Sequence, residues 1–501
     1  MTFHPTPEQE HVLDCFATGE DLAVEACAGS GKTSTMLWLA EYGTDQKLDG
    51  HYFAFNKSIV EETREKADKR KIRLKVSTIH SAAMGAYGWQ FRDRLGSTQR
   101  MRSAEIASIL GVKALTVNVH GTAKYLSAGY LASLCVRGLR NFCQSGDPEP
   151  TGRHIPYIEG IDMPSAKGRT YANNNLVRDH LAQALYRAWG DAFDPAGRLP
   201  YDHAYYLKGW ELSKPRIDAD YVLIDEAQDI SGVMMSILLQ QECQKIWCGD
   251  SNQEIYAWAG AHNALDAVVE TGTKRAELSH SFRFGPEIAE VANYVLSRIP
   301  GNRMVITGAG GPGNVGPVEA PSATLTRTNA RAVETYLGAL DLGRKPHILG
   351  GGLEAVRFAQ AAQDLEAKGF TSHPELGCFK SWVEVCEYVA EDPQGGELAL
   401  LVKLVNTYGA AKLVSKLQHM PPEKSADVVI STAHKCKGRG FASVRLASDF
   451  PTGKEIPLGS EELRLAYVAV SRAEQALDIT ATPHLSPRHS QALLVSEDNI
   501  S

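Results

Sequence analysis

No two cysteines in this chain are spaced as a metal or redox motif. The nine cysteines are scattered, no CxxC occurs, and the closest pair, Cys243 and Cys248, flanks an apolar strand-like run. This argues against structural zinc and fits a reduced, cytoplasmic protein. No apolar run reaches the length needed to cross a bilayer, and the opening MTFHPTPEQE has neither the basic nor the apolar part of a secretory leader. No membrane association is expected. Internal repeats and low-complexity tracts are missing too. Positive charge is not in excess: 52 Lys and Arg stand against 59 Asp and Glu, a formal net charge of −7. That counts against a histone-like binder and leaves room for a local channel that grips nucleic acid.

What is present is a long, ordinary globular chain. Its 501 residues exceed one domain, and two to four are expected. Apolar runs LAVEA (22–26), YFAF (52–55), YVLI (221–224) and KIWC (245–248) alternate with helical patterns, which predicts a parallel α/β sheet. Between Ser81 and Arg216 the chain reads mostly helical, with polar loops near Gln144–Thr151 and Ala172–Asn175. The Gly- and Pro-rich stretch Gly308–Pro321 is unsuited to helix or central strand. After it, TLTRTNARAVETYLGAL reads as strand then helix, 354–420 as chiefly helical, and DVVISTAHKCKGRGFASVRLAS as strand, loop, strand. The expectation is two α/β domains, each with an inserted, mainly helical segment. The first is placed at 1–81 and 217–270 with its insertion at 82–216; the second at 271–353 and 425–501, with 354–424 inserted.

ACAGSGKT, Ala26–Thr33, follows an apolar strand and opens the helix-like STMLWLAEY, which is the setting a phosphate-binding loop requires. Its first position is Ala26, where the general pattern has glycine. Gly29 and Gly31 let the backbone curl so that N–H groups face a β-phosphate, and the helix N-terminus adds a favourable dipole. Lys32 would neutralise β/γ charge and Thr33 would hold Mg²⁺, with Ala28, Ser30 and Ser34 completing the cradle for ATP. YVLIDEAQD delivers Asp225 and Glu226 to a strand's C-terminal edge, where α/β sheets bind ligands. Asp225 is expected on Mg²⁺ and Glu226 on the attacking water, because metal binding and proton abstraction are separate tasks.

ACAGSGKT, TIHS, IDEAQD, GDSNQEIYAW, SFRF, TAHKCKG and EELRLAYVAVSRA occur in the order and spacing of superfamily 1 helicases of the UvrD/Rep type, which the chain resembles from Gln9 to about Leu477. VEACAGSGKT, AFNKSIVEE, LPYDHAYYLKGWELSKP, SFRFGPEIAEVAN and ELALLVKLVNTYG resemble in particular the F-box DNA helicase branch and its bacterial and phage relatives. The P-loop strand begins so early that no F-box is expected before it. The resemblance implies two RecA-like motor domains. It also implies that Gln9 reads the adenine edge and Phe282 stacks on the base. Gln253 is then the γ-phosphate sensor, and Arg283 and Arg472 reach the γ-phosphate from the second motor domain, making domain closure a condition for hydrolysis. For single-stranded DNA it implies stacking by Tyr256 and Trp258. Asn56, Lys57, Thr78, His80 and Ser81 would lie along the backbone, with His434 and Lys437 as second-domain contacts. His203, Tyr206 and Lys208 either line the DNA path or anchor the insertion.

Four departures from the family pattern stand out. Ala259 replaces an arginine after the tryptophan, and Gly440 replaces a glutamate that contacts ribose. Phe55 replaces a threonine before Asn56, and the segment between Gly352 and Asp427 is short. The expected activity is that of a monomeric, DNA-dependent ATPase. It would translocate 3′→5′ on single strands, act at single-strand/duplex junctions and serve repair, recombination or replication. A nucleotide-dependent loader or remodeller with little unwinding is the alternative these departures leave open. A small-molecule P-loop kinase is disfavoured by the second motor half.

Overall fold

The computed structural model describes residues 5–95, 101–119, 121–158, 161–162, 164–165, 168–169, 171–256, 261–371, 373, 376, 379, 381–391, 396–451 and 459–486. The chain divides into two compact units, Met1–Glu25 with Lys32–Glu277, and Ala26–Gly31 with Leu278–Ser501.

The first unit is built on a six-stranded sheet. Its strands are β1 (Leu22–Ala26), β2 (Gly50–Phe53), β3 (Leu74–Ser77), Tyr221–Ile224, Gln244–Gly249 and Lys274–Leu278. A hairpin of β4 (Leu115–Val119) and β5 (Thr122–Leu126) intervenes in sequence, so the last three sheet strands are β6, β7 and β8. The order across the sheet is β8-β1-β7-β6-β2-β3, with β1, β7, β6, β2 and β3 paired in parallel. β1, β2 and β6 are buried at every position, as expected of strands covered on both faces. One face carries Phe53, Val222, Ile224 and Trp247 into a core with Ile79, Trp210, Ile237 and Leu265. The other is covered by α2 (Lys32–Asp45), which follows α1 (Pro7–Ala17). There the Tyr221 ring fits against Gly43 and Gly50, positions where a Cβ would collide with it. β2 begins and ends two residues earlier than its apolar run predicts, so Phe55 lies beyond the strand and is 48% exposed.

α3 (Lys57–Arg70) and α4 (Ile79–Ala86) follow β2 and β3 directly. The segment 82–216 contains α5 (Ser103–Leu110), α6 (Ala128–Gln144), α7 (Ala172–Ala192) and α8 (His203–Leu212) around one core that includes Leu131, Phe142, Leu181 and Leu185. Two features differ from the sequence reading. LTVNV, which alternates with period 2, pairs with TAKYL as an antiparallel hairpin inside a stretch read as mostly helical. Ala172–Asn175 is the first turn of α7, not a loop. Asn174 is buried there, with Oδ1 accepting the Ile158 N–H at 2.8 Å and Nδ2 donating to Asp162 at 2.6 Å. These asparagines tie the helix start to the preceding segment.

The second unit has its own six-stranded sheet: β9 (Asn314–Val315), β10 (Ala323–Thr326), β11 (Pro346–Ile348), β12 (Val428–Thr432), β13 (Phe441–Leu446) and β14 (Ala473–Asp478). Its order is β9-β14-β13-β10-β12-β11, with every pairing parallel. To this sheet the Gly/Pro-rich segment contributes a two-residue edge strand, β9, where few ladder donors are needed. Helices Leu353–Lys368, Trp382–Glu391, Gly396–Tyr408 and Ala410–Gln418 share one core with Tyr336, Ile348, Val428 and Ile430. Among the described residues no single helix is long and apolar enough to cross a membrane.

Candidate nucleotide and nucleic-acid site

Parallel strands direct their C-terminal ends to one edge, and at that edge of the first sheet the predicted residues of this unit follow the strand order. Lys32 lies past β1, Asp250–Gln253 past β7 and Asp225–Glu226 past β6; Asn56 and Lys57 follow β2, and Thr78–Ser81 follow β3. The nucleotide residues thus occupy the β1–β7–β6 side and the nucleic-acid candidates the β2–β3 side.

Gly29 and Gly31 both take φ of +79°, the left-handed region that glycine enters without strain. Within the second unit, a Cβ on Gly29 would lie 2.7 Å from Ser281 Oγ and 2.5 Å from Arg283 Cβ. The loop backbone is tied down there: Ser281 Oγ donates to the Ala28 carbonyl at 2.8 Å, and the Phe282 N–H donates to the Gly29 carbonyl at 2.8 Å. The Ala28 N–H donates to Tyr467 Oη at 3.2 Å. Ser30 is buried, and its hydroxyl has no hydrogen-bond partner among the described residues. Lys32, Thr33 and Ser34 form the partly exposed first turn of α2, whose N–H groups make an anion-binding end.

Asp225 is 6% exposed. Tyr52 Oη donates to its Oδ2 at 2.7 Å, and the Glu226 N–H donates to its Oδ1 at 3.0 Å. Burial and then the adjacent Glu226 carboxylate push Asp225 above the usual carboxylate range, while the Tyr52 hydrogen bond and Lys32 pull it down. Glu226 sits at φ 51°, ψ 47°, strained for a residue with a side chain. A chain of hydrogen bonds leaves it. Gln228 Nε2 donates to Glu226 Oε2 at 2.7 Å, the Asp250 N–H donates to Gln228 Oε1 at 3.0 Å, and Gln253 Nε2 donates to Asp250 Oδ2 at 2.6 Å. Gln228 and Asp250 are both fully buried. The expected water-activating group and the expected phosphate sensor are therefore joined through two residues that motif reading passed over. Gly249 is required beside them, since a Cβ there would collide with Gln228 Oε1.

Behind this chain Glu25 accepts both the N–H and the hydroxyl of Ser251, each at 2.7 Å. Burial, then Asp250, raise it from 4.5 to about 7. Its signal in the sequence is an acid inside an otherwise apolar strand. Gln9 is buried against α2, its Nε2 donating to Thr35 Oγ1 at 2.9 Å and its Oε1 accepting the Thr6 N–H at 3.0 Å.

In the second unit Phe282 presents a half-exposed ring. Arg283 Nη1 donates to the Ser471 carbonyl at 3.0 Å, and Arg472 Nη2 donates to Ser471 Oγ at 2.8 Å, so both arginines converge on one serine. Arg472 is 1% exposed and also donates to the Val468 and Arg439 carbonyls. A Cβ on Gly440 would meet only the carboxylate end of Glu474, a flexible and partly exposed side chain that can swing aside. His434 and Lys437 lie in the turn after β12; burial and then Arg327 hold the His434 imidazole below its ordinary value.

On the nucleic-acid side Asn56 caps α3, its Oδ1 accepting the Ile59 N–H at 3.0 Å, and Lys57 beside it is exposed. Thr78 caps α4, accepting the Ser81 N–H at 3.0 Å; its hydroxyl is buried in that role, and Ser81 is exposed. His80 packs edge-on to Tyr206 at 6.3 Å and is lowered by burial, then by His203. His203 Nδ1 lies 3.1 Å from Tyr206 Oη. Lys208 takes the anchoring alternative. It is fully buried, paired with Glu211 at 2.7 Å, bonded to the Ser145 carbonyl at 3.2 Å and set over the Phe142 ring. Tyr256 is partly buried; Trp258 and Ala259 lie outside the described residues.

The donor set suits Mg²⁺ with a nucleotide. One buried carboxylate, Asp225, and one hydroxyl, Thr33, stand with Lys32 at this sheet edge, and this cation takes only one or two protein groups beside phosphate and water oxygens. Among the described residues no three His, Cys, Asp or Glu side chains form a metal cage.

Two RecA-like sheets, a P-loop opening α2 and a neighbouring acidic strand end define a P-loop nucleoside-triphosphatase of the two-motor-domain class. Residues 9–259, half the chain, match the family model described as an AAA domain, and residues 372–484 match the UvrD-like helicase C-terminal domain. The chain belongs to the UvrD-type superfamily 1 helicase family. It is 29% identical over 94% of its length to F-box DNA helicase 1 of Gallus gallus, covering 48% of that protein. It is 28% identical over 95% of its length to F-box DNA helicase protein 1 of Schizosaccharomyces pombe, covering 57%. A quarter of the chain is 28% identical to a fifth of DNA helicase IV of Escherichia coli. The chain thus spans about half the length of the two F-box relatives it matches.

Proposed function

We propose that this protein is an ATP-driven motor that moves 3′→5′ along single-stranded DNA, unwinding duplex or displacing bound proteins at single-strand/duplex junctions. The observation that carries the reading is the hydrogen-bond chain Glu226–Gln228–Asp250–Gln253 beside Asp225, on the same sheet edge as the α3 and α4 N-termini. In this reading Lys32 and the N-terminal turn of α2 bind the phosphates, and Asp225 with Thr33 holds Mg²⁺. The cation neutralises phosphate charge when bound. Glu226 orients the attacking water and takes its proton, and Gln253 responds to the γ-phosphate. Arg283 and Arg472 stabilise the charge that spreads in the transition state. Asn56, Lys57, His80 and Ser81 contact the DNA backbone, and the exposed Phe55 supplies a sequence-blind stacking face.

ATP hydrolysis measured with and without single-stranded DNA tests the motor reading. Strong stimulation, abolished by Lys32→Ala, is expected; hydrolysis indifferent to DNA would refute it and favour a small-molecule kinase. Strand displacement on 3′-tailed and 5′-tailed duplexes then separates a helicase from a loader or remodeller. The second reading gains weight from Gly440 and from the described helices between Leu353 and Gln418, which pack on the second sheet's own core. Displacement of the 3′-tailed substrate alone is expected.

A further inference from the structure

Tyr52 is the third residue of β2 and is fully buried, yet it ends in a hydroxyl where a phenylalanine would fill the same space. Residues in register in a parallel sheet point to one face. Tyr52 is in register with Leu223 of β6, two positions before Asp225. That face is covered by α2, because Tyr221, two residues before Leu223, donates from Oη to the Ala40 carbonyl at 3.5 Å. Tyr52 accordingly reaches both Asp225 and the first turn of α2. Its hydroxyl donates to Asp225 Oδ2 at 2.7 Å, and Thr33, in the first turn of α2, lies close enough to the phenol to favour its ionised form. β2 grips Asp225 a second time through the Phe53 carbonyl, which accepts the Asp225 N–H at 3.0 Å. With Oδ1 held by the Glu226 N–H, both carboxylate oxygens have a fixed donor.

We propose that Tyr52 is a positioning residue of the Mg²⁺–nucleotide site, its hydroxyl holding the Asp225 carboxylate in the arrangement that receives the cation. The inference rests on the nucleotide reading of this site and names a residue outside every motif that carried it. A buried hydroxyl without a partner is costly. Here the hydroxyl has a partner, and it is the carboxylate expected on the metal. Groups that orient metal ligands from behind commonly change metal affinity or activity about 10–100-fold when removed.

The test is Tyr52→Phe in the full chain, with melting in EDTA first establishing that the variant is folded. A methylanthraniloyl ATP analogue is titrated by fluorescence at increasing Mg²⁺ and again in EDTA. The half-saturating Mg²⁺ concentration is expected to rise about tenfold or more, with analogue affinity in EDTA unchanged. In an Asp225→Asn background Tyr52→Phe should add little to the Mg²⁺ dependence, because the carboxylate it orients is gone. Superimposable Mg²⁺ curves for wild type and Tyr52→Phe overturn the proposal, as does an equal loss of affinity in EDTA, the mark of a packing defect. Absence of Mg²⁺-dependent binding in the wild-type chain would overturn the nucleotide reading itself.

Discussion

Replacing Glu25 with glutamine should stabilise the first unit above neutral pH and leave it unchanged in acid. Glu25 is 4% exposed in β1, with Ser251 on both oxygens and Arg275 3.9 Å away. Burial, then Asp250, raise it from 4.5 to about 7. The folded state therefore binds this proton more tightly than the unfolded state does. The resulting stability is fully present below the unfolded value, near pH 4.5, and is lost as pH rises through about 7. At about 1.4 kcal/mol per pH unit, holding Glu25 ionised in the fold costs about 3 kcal/mol by pH 8, an upper limit because relaxation and water entry lower it. Glutamine retains an acceptor for the Ser251 N–H and brings no charge to desolvate. For a unit of this size 1 kcal/mol corresponds to about 2–4 °C, so Glu25→Gln should melt up to about 6–12 °C higher at pH 8. The gap should close at pH 4.5. Intrinsic-fluorescence melts of both chains between pH 4.5 and 8.5 measure it. A gap that does not vary with pH, or a wild type that is the more stable at pH 8, would refute the reasoning.

Gln228→Leu should cut the link between Glu226 and Gln253 and leave the Asp250 N–H buried without its acceptor. Hydrogen bonds to charged groups contribute about 1.5–3 kcal/mol, so kcat for ATP hydrolysis should fall about 10–100-fold while nucleotide affinity changes little; an unchanged kcat would mean the chain is not used. Lys208→Met strands Glu211 in a buried site and should destabilise the first unit by about 3–5 kcal/mol in urea denaturation. Adding Glu211→Leu should recover most of that loss. A neutral single variant would remove Lys208 from its anchoring role.

The sheet edges were legible in the sequence because strands buried on both faces are written as unbroken apolar runs, and the loops after them carry residues that have no structural reason to be there. ACAGSGKT and IDEAQD are of this kind, and the local residues suffice to name their chemistry. Tyr52, Gln228 and Asp250 were not legible, for a reason that also explains their use. Each sits beside a functional residue across the sheet or around a turn, and each is buried, so its type alone reads as core or as an ordinary turn. Tyr52 inside YFAF is indistinguishable from a packing aromatic until register places it two positions short of Asp225 on the neighbouring strand. The same limit produced the errors. LTVNV alternates with period 2 but lies among helices, and the ANNN turn reads as polar loop because its partners, Ile158 and Asp162, lie upstream. Lys208 was ambiguous because a lysine just before the Asp225 strand reads equally as a DNA contact or as an anchor of the insertion, whereas its partner Glu211 one helical turn on marks it as paired. Sequence thus names the groups proposed to meet a ligand. The groups that hold them in place are named by register, because the hydrogen bonds that matter run between strands distant along the chain.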